Sequence, residues 1–393
     1  MTGRVPARDV RRTYFAYQFP VMRIYLPTSC ADRYCTVRRG EDSAMSEIGL
    51  AVIGAGYWGP NLVRAALATP ALRLEWLCDL NEARARTVLG HYTAAKPTAD
   101  FERVLADPAV DAVVIATPAA THFDLVRTAL EAGKHVLVEK PLTLSVPDSV
   151  KLAELAERSG LTLMCDHTYC YTPAVQRIRE LVRTGAIGDI QFIDSVRINL
   201  GLVQPDIDVL WDLAPHDLSI LDFVLPEDVV PVAISAHTSD PIGNGRACLA
   251  HLSLWLSTGA LAHIHVNWLS PTKIRTTVFG GSRRTIVWDD MNPAARLMLH
   301  DRGVDRVPAE SLAPDDRREA LISYRVGDTQ VPALPEREAL KSVVAEFASA
   351  IAENRPPLTD ARSGVRVLKL LEAASRSAEN GGARVSVTMK EEN

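Results

Sequence analysis

The sequence predicts an α/β protein in two parts: a doubly wound parallel sheet, then an α+β region on a large, mainly antiparallel open sheet. Three observations predict it. Ile48 to Asn61 reads as a buried strand, a glycine turn and a helix start, in that order. Short β-branched runs then alternate with helical patterns as far as Cys165, the signature of parallel strands joined by crossover helices. Past His167 the pattern turns to strands of alternating polarity divided by glycine turns, as in antiparallel pairing.

The opening element is the most informative. Leu50 to Ile53 are apolar, Gly54-Ala55-Gly56-Tyr57-Trp58-Gly59 is a complete G-x-G-x-x-G, and Pro60 suits the first residue of a helix. Such a turn needs Gly54 for its backbone angles, Gly56 so that a pyrophosphate can approach the main chain, and Gly59 so that helix and strand pack closely. The anion would rest on free helix N–H groups. A second apolar run, Leu72 to Cys78, ends at Asp79, where a carboxylate for the ribose hydroxyls belongs in a dinucleotide-binding unit. Asp79 repels a 2′-phosphate and Leu80-Asn81 offers no arginine, so the expected cofactor is NAD rather than NADP.

The following segments alternate as expected. A helix at 82–89 and the segment Asp100 to Leu105 precede the buried run Ala112 to Ala116, which ends at Thr117-Pro118. Helix 121–132 closes at Gly133, His135 to Glu139 is a strand ending in Lys140-Pro141, and Ser145 and Pro147 open the next helix. Leu161 to Cys165 completes the parallel set. Thr172 and Pro173 start a helix that stops before Gly185. Strands are expected at 191–200, 229–237, 247–256, 260–268, 274–279 and 285–289, and a loop at 303–337. Helices at 338–352 and 360–379 and a strand at 384–387 end the chain. The expected divisions are an extension over 1–44, a cofactor domain over 45–167 and a substrate and oligomerisation domain over 168–393.

Composition narrows the function. The 393 residues are 47% hydrophobic and 23% charged with a net charge of −5, which suits a soluble protein and offers no basic stripe for nucleic acid. No apolar run is long enough to span a membrane. Six cysteines without a C-x-x-C pair favour reduced thiols and a cytoplasmic setting. Cys165, His167 and Cys170 lack a fourth ligand, so no metal is expected. Residues 1–44 carry eight arginines against four acids without apolar periodicity, and Met45-Ser46-Glu47 stands where a start would stand, so this stretch reads as an extension outside the fold.

Three side chains are candidates for chemistry. Lys140 lies at the carboxyl end of a sheet strand, where an ammonium can hydrogen-bond a substrate oxygen and pass a proton as hydride moves. Asp212 and His216, in Trp211-Asp212-Leu213-Ala214-Pro215-His216-Asp217, share one helical face, so the carboxylate can orient the imidazole. The same spacing also allows Asp212 to be a helix N-cap with Pro215 in the first turn. His263, His265 and Asn267 alternate with apolar neighbours and read as one polar or subunit-contact sheet face.

The glycine loop with Trp58-Gly59-Pro60-Asn61, the Ala116-Thr117-Pro118 strand end, Glu139-Lys140-Pro141 and the Trp211 to Asp217 motif together resemble the glucose-fructose oxidoreductase and inositol dehydrogenase family (Gfo/Idh/MocA). Within it they are most similar to the sugar and nucleotide-sugar oxidoreductases. The resemblance spans about 47–387. It implies a Rossmann domain binding NAD through Gly54, Ala55, Gly56, Tyr57, Trp58, Gly59, Asp79, Thr117, Pro118, His122, Glu139 and Lys140. It further implies a peptide before Pro141 that is often cis, His216 as proton carrier with Lys140 assisting, and a sheet face serving a homodimer or homotetramer. His167, Tyr169, Arg197, Asn199 and Trp211 would line the substrate pocket, with Arg197 the candidate anchor for a diphosphate. Cys165-Asp166 departs from the small residue and glycine expected there. The implied reaction is hydride transfer at a secondary alcohol or ketone of a sugar, probed against two other readings: a glycosidase that retains its NAD, and a free-sugar or inositol dehydrogenase.

Overall fold

The computed structural model describes residues 47–91, 93–204, 207–306 and 322–389; the expectation for 1–44 lies outside them. The first half is an alternation of strands and helices. β1 (Ile48–Ile53), α1 (Gly59–Leu67), β2 (Leu72–Cys78), α2 (Glu82–Leu89), β3 (Lys96–Thr98), α3 (Phe101–Leu105), β4 (Ala112–Ile115), α4 (His122–Glu131), β5 (His135–Glu139), α5 (Val146–Ser159) and β6 (Leu163–Asp166) follow one another. The strands form one parallel sheet in the order β3-β2-β1-β4-β5-β6, in which the chain starts in the middle and winds outwards both ways. Every residue of β1 and β4 is buried, so these runs are continuously apolar rather than alternating. Each fully buried Val, Leu or Ile here contributes about 1.5–3 kcal/mol.

The second half opens with a one-turn helix (Thr168–Tyr171) and α6 (Pro173–Arg183), capped by the Thr172 hydroxyl on the Val175 N–H. β7 (Ile190–Leu200), α7 (Val209–Val224), β8 (Pro231–Ser239), β9 (Leu249–Leu256), β10 (Leu261–Asn267), β11 (Leu269–Gly281), β12 (Thr285–Asp289), β13 (Leu297–Arg306) and β14 (Ile322–Gln330) come next, then α8 (Ala339–Ala352), α9 (Ala361–Glu379) and β15 (Val385–Ser386). Their sheet runs β14-β13-β12-β11-β7-β10-β9-β8-β15 and is antiparallel except where β7 pairs β10. Ala262, Ile264, Val266 and Trp268 face the core while His263, His265 and Asn267 face outward, as their alternation predicts. The segment entering α9 ties the halves together: the Cys165 N–H donates to the Thr359 carbonyl, and the Thr359 hydroxyl donates to that of Cys165.

Three expectations need correction. The 303–337 stretch is not all loop, because β13 runs into it and β14 lies within it. Residues of β14 are exposed or half-buried throughout, so this edge strand has no buried face to leave an alternating signal. β3 was not expected, since Pro97 sits in it, which only an edge strand tolerates. Asp212 is not the cap of α7: the Asp208 carboxylate accepts from the Trp211 N–H, and Pro215 lies inside the helix.

Candidate active site

The glycine loop is built by close approaches. Gly54 has φ +103°, and a Cβ there would lie 2.5 Å from the Ala116 carbonyl oxygen; a Cβ on Gly59 would lie 2.1 Å from that of Gly54. At Gly56 a Cβ would meet nothing within 4 Å, leaving open the space a pyrophosphate would take. α1 has Pro60 in its first turn, the Asn61 N–H already bonds the Trp58 carbonyl, and no side chain caps the helix, so no side chain blocks an anion at its start. Asp79 turns one carboxylate oxygen to the Ala55 N–H at 2.7 Å and the other to the Asn81 N–H at 2.8 Å, linking β2 to the loop. Tyr57 is exposed beside Trp58, whose indole N–H is buried without a partner. These features fit a dinucleotide.

His122 has another place than cofactor contact. Its buried ring lies 2.8 Å from the Pro141 carbonyl oxygen through Nδ1 and 2.9 Å from that of Thr117 through Nε2, joining the ends of β4 and β5. Thr117 in turn bonds the Thr121 hydroxyl. The clip fixes Pro118 and Lys140 relative to each other, and the Lys140–Pro141 peptide is cis, as the resemblance implied.

Lys140 Nζ donates to the Asp212 backbone carbonyl at 2.7 Å and to its carboxylate at 3.0 Å. Pro215 has no N–H to give Trp211 and opens the helical turn before it, and that turn carries the Asp212 carbonyl. The second carboxylate oxygen of Asp212 accepts from the Trp268 indole at 3.1 Å. Asp212 therefore holds Lys140 and not His216, a correction to its expected role. The His216 ring stands edge-on to Tyr169, centroids 5.0 Å apart, with Nδ1 sealed and unpartnered, so Nε2 is the nitrogen left toward the cleft. Burial, then the cations Lys140 and Arg197, push its pKa well below 6.5, so it is neutral at working pH.

The substrate-side residues divide. Tyr169 lies between guanidiniums, 4.2 Å from Arg197 and 5.7 Å from Arg275. Arg197 is 3% exposed and fixed to Asp217 through Nε at 2.7 Å and Nη2 at 3.1 Å, a buried pair rather than the open diphosphate anchor expected. Trp211 gives its indole N–H to the Ser375 hydroxyl on α9, and half-buried Asn199 crowds Gly201. His167 is 2% exposed with both ring nitrogens unpartnered, and burial drives its pKa to about 3.

Behind Lys140 lies an acid pair. Glu139 and Asp166 are register partners on β5 and β6, and each keeps a sealed carboxylate oxygen without a donor. Two such groups side by side out of water share a proton, and burial together with Asp166 holds the Glu139 carboxyl well above the usual range. Sequence reading missed Asp217, Trp268 and Arg275. Asp217 directly follows His216 and Arg275 is the register partner of Arg197, but both signals need the sheet pairing to be seen. Among the described residues no group of His, Cys, Asp and Glu could hold a metal ion, and no helix is long and apolar enough to cross a membrane.

Comparison with known proteins agrees with this geometry. A family model described as "Oxidoreductase family, NAD-binding Rossmann fold" matches residues 48–167, and the "GFO/IDH/MocA C-terminal domain" matches 175–286. The chain is 30% identical over 329 residues to UDP-N-acetylglucosamine 3-dehydrogenase of Acidithiobacillus ferrooxidans, covering 81% of this chain and 93% of that one. A solved structure of that enzyme aligns with TM-score 0.71 at 26% identity, over 85% of this chain and 98% of the other. D-xylose 1-dehydrogenase (NADP(+)) 2 of Haloferax volcanii is 27% identical over 344 residues, 84% of this chain and 98% of that one. The chain belongs to the Gfo/Idh/MocA family of NAD(P)-dependent oxidoreductases acting on CH–OH groups.

Proposed function

We propose that the protein is an NAD-dependent dehydrogenase or ketoreductase of a nucleotide-linked hexose, acting at C3. The observation that carries the reading is the Lys140 ammonium held at 2.7 and 3.0 Å on Asp212, at the strand end beside the glycine loop and next to neutral His216. Bound NAD supplies the hydride acceptor. In the oxidising direction Lys140 donates a hydrogen bond to the substrate oxygen and stabilises the developing alkoxide, and His216 Nε2 takes the hydroxyl proton; reduction runs the same steps backwards. Asp212 and Trp268 hold the ammonium in place, which spares the site reorganisation during transfer. The A. ferrooxidans relative, by its name, oxidises a nucleotide sugar at C3, which favours that class over free polyols.

Asp79, held by the Ala55 and Asn81 N–H groups at the end of β2, favours NAD, since a carboxylate there accepts from ribose hydroxyls and repels a 2′-phosphate. The outer face of the second sheet, with half-buried Val196, Ile198, Ile274 and Val278, is our choice for the contact in a homodimer or homotetramer. The test is NADH fluorescence with UDP- and dTDP-hexoses, their 3-keto forms, free glucose and inositols. Turnover of nucleotide-linked hexoses is expected; turnover confined to free polyols would overturn the substrate class and leave the dehydrogenase standing.

A further inference from the structure

A second polar cavity of about 80 Å³ lies beyond His167, one turn along α7 from His216. α6 walls it with Arg179 and Arg183, α7 with Ser219 and Asp222, and α9 with Arg366. Arg366 is matched to Asp222 by two hydrogen bonds, through Nε at 2.6 Å and Nη2 at 2.9 Å. The other two arginines are not matched. Arg179 lies 4.1 Å over the Phe223 ring, Arg183 reaches the Leu225 carbonyl at 3.4 Å, and neither has a carboxylate at salt-bridge distance among the described residues. Burial, then the charge of Arg183, hold the Arg179 pKa below its ordinary value, and the Asp222 carboxylate in the same wall is taken up by Arg366.

His167 supplies the second observation. It lines the cavity at 2% exposure with neither ring nitrogen partnered. A neutral imidazole has one N–H to give, and buried donors without acceptors are rare in folded proteins. The half-buried Arg179 guanidinium, the Arg183 guanidinium at the exposed rim and one sealed, unmatched N–H around a space of this size suit a compact acceptor carrying negative charge, and guanidinium forks match the oxygen spacing of tetrahedral anions.

We propose that this cavity binds a tetrahedral oxyanion of the inorganic phosphate class on Arg179, Arg183 and the His167 N–H. The site is separate from the glycine loop. Because His167 leads into the one-turn helix carrying Tyr169, which packs on His216, occupancy would brace the proposed reaction site from behind.

The experiment is calorimetric titration of the full chain with inorganic phosphate, in phosphate-free buffer with NADH saturating so that the glycine loop cannot compete. Saturable binding of one phosphate is expected, weakened by roughly tenfold or more in Arg179→Met, a loss of about 1.4 kcal/mol or more. NADH affinity, read by fluorescence, should be unchanged in that variant and so reports its fold; if it does not fold, Arg183→Met at the exposed rim serves the same comparison. No saturable binding in the native chain, equal affinity in the variant, or an effect that chloride reproduces would each overturn the proposal.

Discussion

In the proposed reaction Lys140 and His216 take different parts, and the structure holds them in different ways. The ammonium is oriented by three oxygen and indole contacts through Asp212, whereas the imidazole is held by packing against Tyr169 and surrounded by cations. Lys140→Met and His216→Ala should each leave NAD affinity nearly unchanged and lower turnover by roughly a hundredfold or more, the size of a lost acid-base group. The pH profile separates them further. Oxidation needs neutral His216, so kcat/KM should fall as pH drops through its depressed pKa, with the acid limb below 6.5, and that limb should vanish in His216→Ala. Near-native turnover in either variant would remove that residue from the proton path. Both residues were singled out as candidates from their motifs alone. Asp212's real partners were not, because the link to Lys140 and Trp268 spans three elements far apart in sequence.

At the scale of the element, the glycine loop separates packing from binding. Gly59 is pressed against the Gly54 carbonyl, whereas Gly56 faces open space. Gly59→Ala should destabilise the protein by about 1–3 kcal/mol, the usual toll of overpacking. Gly56→Ala should leave the melting temperature unchanged and weaken NAD binding, since the new methyl enters the space meant for the pyrophosphate. Thermal melts and NADH titrations on the two variants check this; equal destabilisation by both would contradict it. β1, the loop and α1 could be read from sequence because local rules agree: buried strand, obligatory glycines, Pro60 at a helix start. α7 was harder. Its cap, Asp208, and the acid at Asp212 both suit a helix start, and only the 2.9 Å bond to the Trp211 N–H decides between them.

In the whole molecule, the groups of the proposed site come from both halves: the glycine loop, Asp79 and Lys140 from the parallel sheet, His216 from α7, Trp268 and Arg197 from the second half. The doubly wound parallel sheet was legible in the alternation of strands and helices, but its order β3-β2-β1-β4-β5-β6 was not, and β3, with Pro97 in it, left no strand signal. The far edge of the second sheet could not be reached, since β14 buries no face. The buried Arg197–Asp217 pair was equally hidden, because an arginine on a strand reads as a surface residue until its sheet face is known. The central claim, that these groups pass a hydride from a sugar carbinol to nicotinamide and release the reduced cofactor, is tested most directly with UDP-N-acetylglucosamine deuterated at C3. Mass spectrometry of the released dinucleotide should find one deuterium in free NADH for each 3-keto product formed. Product accumulating while no labelled NADH leaves the protein would contradict it and point to transient oxidation on a retained cofactor.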